Sequence, residues 1–572
     1  MTNDSVPKVP ADRAKTETIL VSEKIIADIS TGIYRTPAAA LKELVANAYD
    51  AEATSVTITT DAPRFRSLVI RDDGNGMDLE KFLQVITHIG GSWKRLDNPD
   101  GVTPRLKRPI IGRIGIGLLA VAQLGQRFYV SSTKRGSHSR FLAEIDLTPF
   151  HKDDAALRTI GGGLATLDKD EKVEIGVVKY IDGLPERRDS HFTVITVANP
   201  KQGLVSELHG QLRAAIGADA DLLVAKPAAN FKALARAVLD GKRADAVLDS
   251  YHYLLWELGL LCPVPYFEGG IFRNDRKRPV ENSEQLSLPV IADFHVTVDK
   301  YRIARPIEFP NPCAIDYGGP MPIVYPLEHD KTIAGRRLRF SGYVYSQQPR
   351  IDPVELQGLQ IRIRNVGIGG FDRTWMGYPF DEGMKFGQVS GELFIHDGLE
   401  SALNIDRASF RETDPHYLAV RAWMWDFLRR TVFPDFKARQ DTFRHQRKVE
   451  EKDQLDRRLS EALLNAPEGV GVRPKAKDKR SSKSKDRDRP GRDLEKPSTR
   501  VGPRHQGLVI VEDGEAIVDQ ESFSRATKGL GAVQKDRLLR ICAVLAAYGL
   551  WDRLGAGEAE DLFNALAIAV ES

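Results

Sequence analysis

Around residues 42–53, "KELVANAYDAEA", apolar Leu41, Leu44, Val45 and Ala48 recur at helical spacing. Glu43, Asn47 and Asp50 fall on the other face, which on an ordinary amphipathic helix would meet water. Residues 15–60 read as two helical patterns followed by a strand, "SVTITT". A second strand, "SLVIRDD", runs straight into "DGNGM", and residues 79–89 read as helix. A loop rich in Pro, Arg and Lys, "SWKRLDNPDGVTPRLKRP", leads to "IIGRIGIGLLAVAQLG", a Gly-rich turn opening an apolar helix. Period-two segments "RFYVSS", "SRFLAEIDL" and "FTVITVANP" complete an α/β domain over 1–203.

The pattern then changes. Residues 204–262 read as a helical connecting segment. Strand patterns such as "FHVTVDKYRIA", "LRFSGYVYS" and "GQVSGELFIHD" dominate 263–414 and predict a second α/β domain. Residues 415–465 are helical and increasingly charged. Residues 466–506 form a basic linker; its 473–504 part holds thirteen Lys/Arg against five Asp/Glu and almost nothing apolar. Such a composition cannot bury enough surface to order itself. A small α+β end piece at 507–572 opens with "LVIVEDGEAIVD". No internal repeat is visible.

Composition narrows the class. The chain has 572 residues, 42% hydrophobic and 28% charged, which is globular and predicts several domains. No apolar run approaches the ~18–20 residues that span a bilayer, and the first twenty residues lack a signal-peptide core. Cys262, Cys313 and Cys542 lie far apart without metal-type spacing. The expectation is a cytoplasmic protein with neither disulfide framework nor zinc site. Net charge is only +3 and names no partner.

Three motifs carry the chemistry. The first is the Glu43, Asn47, Asp50 helix face. The second is Asp72-Asp73-Gly74-Asn75-Gly76-Met77 after a strand, which alone would be a plain Asp/Gly turn. The third, Gly112-Arg113-Ile114-Gly115-Ile116-Gly117, opens a helix whose N-terminal amides could meet a phosphate. It is not a dinucleotide turn, because no βαβ unit with a later acidic residue follows. Nor is it a P-loop, because the Lys-Ser/Thr ending is missing.

In this order, Glu-x-x-x-Asn-x-x-Asp, Asp-x-Gly-x-Gly and Gly-x-x-Gly-x-Gly resemble the motifs of the GHKL ATPases (gyrase, heat-shock chaperone, histidine kinase, MutL) over roughly residues 17–200. "KELVANAYDAEATSVTI" and "GGSWK" are most similar to the MutL and MORC branches, and "GRIGIG" to the heat-shock chaperones. The resemblance implies a Bergerat-type two-layer α/β sandwich binding ATP and Mg²⁺. It makes Glu43 the general base for the attacking water and Asn47 the metal ligand, with Asp50 supporting the site. Asp72 would accept from the adenine amino group, Gly74 and Gly76 would leave room for the base, and Met77 would pack on it. Gly112, Gly115 and Gly117 would wrap the phosphates, and Lys94 is the best phosphate contact among the basic residues of the lid, 92–111. Thr193 would lie behind the adenine, although Phe192 stands where the family usually has Gly. A carboxylate at Glu43 favours transfer to water, and no phospho-accepting dimer helix is visible ahead of the domain, so a histidine kinase is not the expectation.

Residues 403–407, "LNIDR", resemble a chaperone middle-domain stretch whose Arg senses the γ-phosphate, which makes Arg407 a second catalytic candidate. An arginine suits the task because its charge is fixed and its planar fork matches phosphate oxygens. MutL-type relatives use a lysine, for which Lys385 and Lys331 are alternatives. The resemblance implies a homodimer, and the lack of a long apolar run leads to the expectation of no membrane partner. The expected job is an ATP-gated, heat-shock-chaperone-like clamp on a client protein; the alternative is a MORC/MutL-like clamp on DNA in repair or defence against foreign DNA.

Overall fold

The computed structural model describes residues 7–10, 12–22, 36–87, 101–111, 119–147, 172–210, 230–241, 243–272, 280–291, 293–309, 319–404, 407–464, 474–475, 496–497, 499–502, 507–512 and 515–571. It divides into two compact units, 1–439 and 440–572.

The first unit is built on a nine-stranded sheet. Its strands are β1 (Lys15–Ser22), β2 (Ser55–Thr59), β3 (Ser67–Asp72), β4 (Arg127–Thr133), β5 (Ser139–Asp146), β6 (Lys172–Pro185), β7 (Phe192–Ala198), β8 (His295–Val298) and β9 (Tyr301–Ile303). They lie in the order β1-β6-β5-β4-β7-β3-β2-β8-β9. Two expectations change here. Residues 15–22 form an edge strand paired antiparallel to β6, not a helix. Their run of Thr, Ile and Val, crowded against a helical turn, fits a pleated strand better. Strands from beyond residue 263 also join this sheet, because β8 adds parallel to β2.

One face of the sheet is covered by helices. Helix α1 (Pro37–Asp50) starts on a Thr36 cap that accepts from the Ala39 amide, with Pro37 in its first turn. It is buried on nearly every side, Lys42 and Glu43 included. Helices α2 (Leu79–Thr87) and α3 (Leu119–Leu124) complete this layer, and the later helix α4 (Ser250–Leu261) packs against α1.

A second sheet has five strands, β10 (Ile323–Ile333), β11 (Arg336–Ser346), β12 (Gly358–Ile363), β13 (Val366–Asp372) and β14 (Val389–Asp397). Their order is β10-β11-β14-β12-β13. The apolar core that fills the first domain continues through α4 into Tyr343, Tyr345, Val366 and Phe394 of this sheet. A separate core joins its other side to helix α5 (Pro415–Phe427). The second sheet is further tied to α4 and the segment after it by a buried polar knot. Glu392 accepts from Arg362 and from the Tyr266 and Tyr343 hydroxyls, at 2.6 and 2.8 Å, while Arg362 donates to the Leu260 carbonyl at 2.8 Å.

The second unit contains the end piece. Three strands, 499–502, 515–519 and 509–512, are covered by helices over 520–526, 532–547 and 556–571. The first strand falls inside the segment expected to be a disordered linker; it pairs parallel to 515–519. Among the described residues, no helix is long and apolar enough to cross a membrane.

Candidate active site

Cross-strand register explains where the site lies. Three rows run across the face under α1: Leu68–Val197–Phe128, then Ile58–Ile70–Ile195–Val130, then Val56–Asp72–Thr193–Ser132. Residues directly opposite on antiparallel strands share a face, so two apolar rows end in a polar one at the edge of the helical layer. Thr193 therefore stands beside Asp72, and its hydroxyl is 3.2 Å from that of Ser132. The same alternation settles the departure at Phe192. Its side chain lies on the opposite face, under the Arg71 guanidinium 4.6 Å from the ring centroid, and stays out of this row.

The turn after β3 is bolted to the end of α1. The Asn75 amide donates to the Ala51 carbonyl at 2.7 Å. A side chain at Gly74 would meet the Asp72 carboxylate and Ala51 below 3.0 Å, so glycine here lets the turn close. Gly76 has φ +64°, and an added Cβ would strike the Thr133 carbonyl. Close packing thus already demands both glycines. The Met77 amide donates to Ser132 Oγ at 3.0 Å, and its side chain packs on the core. Asp72 accepts the Gly74 amide at 2.9 Å, yet burial outweighs that bond and raises its carboxyl to about 6.

Glu43 lies on the part of α1 that faces the second domain. Arg407 donates to Glu43 Oε2 at 2.5 Å, and Lys42 Nζ lies 3.4 Å from Oε1. Lys42 also donates to the Arg407 carbonyl at 3.1 Å. All three are enclosed, with 2%, 1% and 8% of Glu43, Lys42 and Arg407 exposed. Burial pushes Glu43 up, but Arg407 and then Lys42 outweigh it and hold the carboxyl below its usual range. Lys42 is lowered, first by burial, with Arg407 adding to it against the pull of Glu43. Arg407 is presented by a tight loop in which Asn404 bonds the Ser409 backbone and hydroxyl at 3.0 and 2.9 Å. Its φ of +49° is a strained value for a side-chain-bearing residue. Lys385 instead pairs with Glu382, and Lys331 sits on the exposed part of the β10–β11 hairpin.

Residues 101–111 form a strap between two stretches outside the described residues. Asp50 accepts the Ile111 amide at 2.7 Å, so this carboxylate holds the strap. Arg407 donates to the Ile111 carbonyl at 2.5 Å. Glu52 accepts the Arg105 and Leu106 amides at 2.7 and 2.6 Å and the Asn75 side chain at 2.9 Å. Burial would raise Glu52, but these donors, Leu106 foremost, hold it at about 2. Arg108, a possible phosphate contact by sequence, is buried and donates to the Ala53 and Asp293 carbonyls beneath the rings of Tyr49 and Phe294.

Asn47 lies one turn after Glu43 and is half-buried. Among the described residues, no group of three or more His, Cys, Asp or Glu side chains could cage a metal ion. Asn47 offers one side-chain amide oxygen, a donor type that a hard cation accepts. Lys94, Gly112, Gly115 and Gly117 lie outside the described residues. Sequence reading missed Lys42, Glu52, Ser132 and the strap's other partner, Arg364. Glu52 stands within the quoted helix motif, but its φ of +61° places it past the helix end.

A helix-covered sheet with a polar row at its edge, a buried Glu–Arg pair and a strap that leads into the Gly-rich motif is the arrangement that the three motifs imply for a nucleotide-binding domain. Residues 34–162 match the family described as Histidine kinase-, DNA gyrase B-, and HSP90-like ATPase. This part of the chain belongs to the GHKL superfamily. It is also 36% identical over 118 residues to a putative type II restriction enzyme, HgiDII, of Herpetosiphon aurantiacus, covering 20% of this chain and 18% of that protein. It is 28% identical over 127 residues to the DNA mismatch repair protein MutL of Elusimicrobium minutum, covering 22% and 20%. The MutL of Xylella fastidiosa strain M23 is 32% identical over 122 residues, covering 21% and 19%. The match spans about a fifth of each relative's length.

Proposed function

We propose that this protein binds ATP at the Asp72–Thr193 row, hydrolyses it with Glu43, and uses the cycle to open and close a homodimeric clamp on DNA. The observation that carries the reading is the Arg407–Glu43 pair, because a residue 364 positions away reaches the carboxylate to which the motif resemblance gives the general-base role. Asp72 accepts from the adenine amino group. Asn47 holds Mg²⁺, which when bound neutralises charge on the phosphates. While Arg407 grips Glu43, the carboxylate is a weakened base, since its pKa is held down. A γ-phosphate competes for the same guanidinium, and its planar fork suits phosphate oxygens as well as a carboxylate. Transfer of Arg407 to phosphate leaves Glu43 with Lys42 and frees an oxygen to take a proton from water. ATP favours the closed state because these contacts exist only with the triphosphate.

DNA is preferred over a client protein as the load. The relatives' names refer to restriction and mismatch repair, and the 473–504 segment carries a net charge of +8. Hydrolysis in the wild type and in Arg407→Ala tests the pairing. The expected result is a loss of about 10²-fold in turnover with affinity changed by less than about tenfold, the pattern of a contact made in the transition state. Full activity in Arg407→Ala would remove this residue from the mechanism.

A further inference from the structure

The strap 101–111 is held by a second arginine that the hydrolytic scheme does not use. Arg364 stands at the turn of the β12–β13 hairpin, where Arg364 and Asn365 have φ of +51° and +69°. Two successive left-handed residues are the signature of the tight hairpin turn whose twist matches its strands. Its Nη1 donates to the Gly101 carbonyl at 3.2 Å and also to the Ile110 carbonyl. These two residues close the strap on itself, since the Ile110 amide donates to the Gly101 carbonyl at 2.9 Å. The other arm, Nη2, is 3.3 Å from Glu400 Oε1, and both side chains are nearly enclosed.

The seat is firm on the other side as well. Two residues back in β12, Arg362 is fixed to Glu392 and to the Leu260 carbonyl. The Asn365 carbonyl accepts from the buried Arg305 at 3.2 Å. Glu400 lies seven residues before Arg407 and accepts the Gly398 amide at 2.9 Å. The contacts therefore form a closed ring. Ile110 is held by Arg364, Arg364 by Glu400, and the chain from Glu400 leads to Arg407, which returns to Ile111.

We infer that Arg364 is a positioning residue that clasps the strap to the second sheet and so sets where Arg407 meets Ile111 and Glu43. This rests on the reading of Glu43 and Arg407 as the hydrolytic pair. Movement of the β12–β13 hairpin relative to α1 would pull on Ile110 and Ile111, the two residues before the Gly-rich motif. The second domain thereby controls the entry to that motif through main-chain carbonyls, whose identity does not depend on the lid's side chains. Arginine is needed because one guanidinium must reach two carbonyls and a carboxylate together; a lysine ammonium has no planar fork to span them.

Two measurements on the full chain test this. The first is hydrogen–deuterium exchange of peptides covering 101–111 without nucleotide, in the wild type, Arg364→Ala, Arg364→Lys and Glu400→Gln. Arg337→Ala is the control, since Arg337 is an exposed partner of Asp330 on another hairpin. The expected result is faster exchange of the strap in Arg364→Ala, a smaller effect in the other two variants, and none in the control. Wild-type protection in all the Arg364 and Glu400 variants overturns the clasp whether or not ATP is hydrolysed. The second is ATP turnover. Arg364→Ala should lose about tenfold in kcat with KM little changed, as small misplacement near a reacting centre does. Combined with Arg407→Ala it should add almost nothing, because both act on one assembly. Full additivity overturns the proposed route through Arg407. A wild type that neither binds nor hydrolyses ATP refutes the underlying reading and leaves the exchange result to judge the clasp alone.

Discussion

Two carboxylates in this site are driven in opposite directions. Asp72 is raised to about 6, chiefly by burial, whereas Glu43 is held below its usual range by Arg407 and Lys42 despite burial. Groups pushed apart in this way take different roles. Because the folded-state pKa of Asp72 lies above its ordinary value, its charge costs stability at neutral pH, and that cost is relieved as pH falls through about 6. Nucleotide affinity should run the other way, because an amino donor favours the ionised acceptor. Calorimetry at pH 5 and pH 7.5 should show weaker ATP binding at the lower pH, with the step missing in Asp72→Asn; a pH-independent affinity would exclude Asp72 from the adenine contact. Glu43, Asn47 and Asp72 stand out in the sequence through short spacing and motif order, and Arg407 through the "LNIDR" stretch; the structure brings Glu43 and Arg407 into contact. Arg364 and Glu52 were not legible there. Arg364 acts on partners more than 250 residues away, and both depend on left-handed backbone conformations that composition does not announce.

At the scale of elements, β2, β3, β4, β5 and β7 were readable from alternation, but β6 and the edge strand β1 were not. Residues 15–22 looked helical and are a strand, because pairing with β6 decides the matter more than local spacing. Likewise β8 and β9 come from the region assigned by sequence to the second domain, since a parallel partner for β2 cannot be inferred from either strand alone. The second sheet is tied to α4 and the segment after it by the Glu392 knot with Arg362, Tyr266 and Tyr343. Removing the carboxylate strands a buried guanidinium, a loss of about 3–5 kcal/mol. Urea denaturation of Glu392→Ala should show the transition of the first unit shifted by that amount. A shift under about 1 kcal/mol would mean that the knot is not a stabilising joint.

For the whole molecule, the far boundary expected for the basic segment, residue 506, falls too late, since residues 499–502 are a strand of the end piece. If the segment holds DNA, binding should weaken steeply as salt rises from 50 to 200 mM. Deleting residues 476–495, which leaves that strand intact, should flatten the dependence, and an unchanged slope would reduce the segment to a tether. The proposed hydrolytic cycle turns on Glu43. The decisive measurement is steady-state ATP hydrolysis by the wild type and Glu43→Gln, with ATP affinity measured on the same preparations. Turnover should fall by at least about 10²-fold while affinity is kept, as expected for loss of a general base. A Glu43→Gln protein that hydrolyses ATP at the wild-type rate would contradict the central claim.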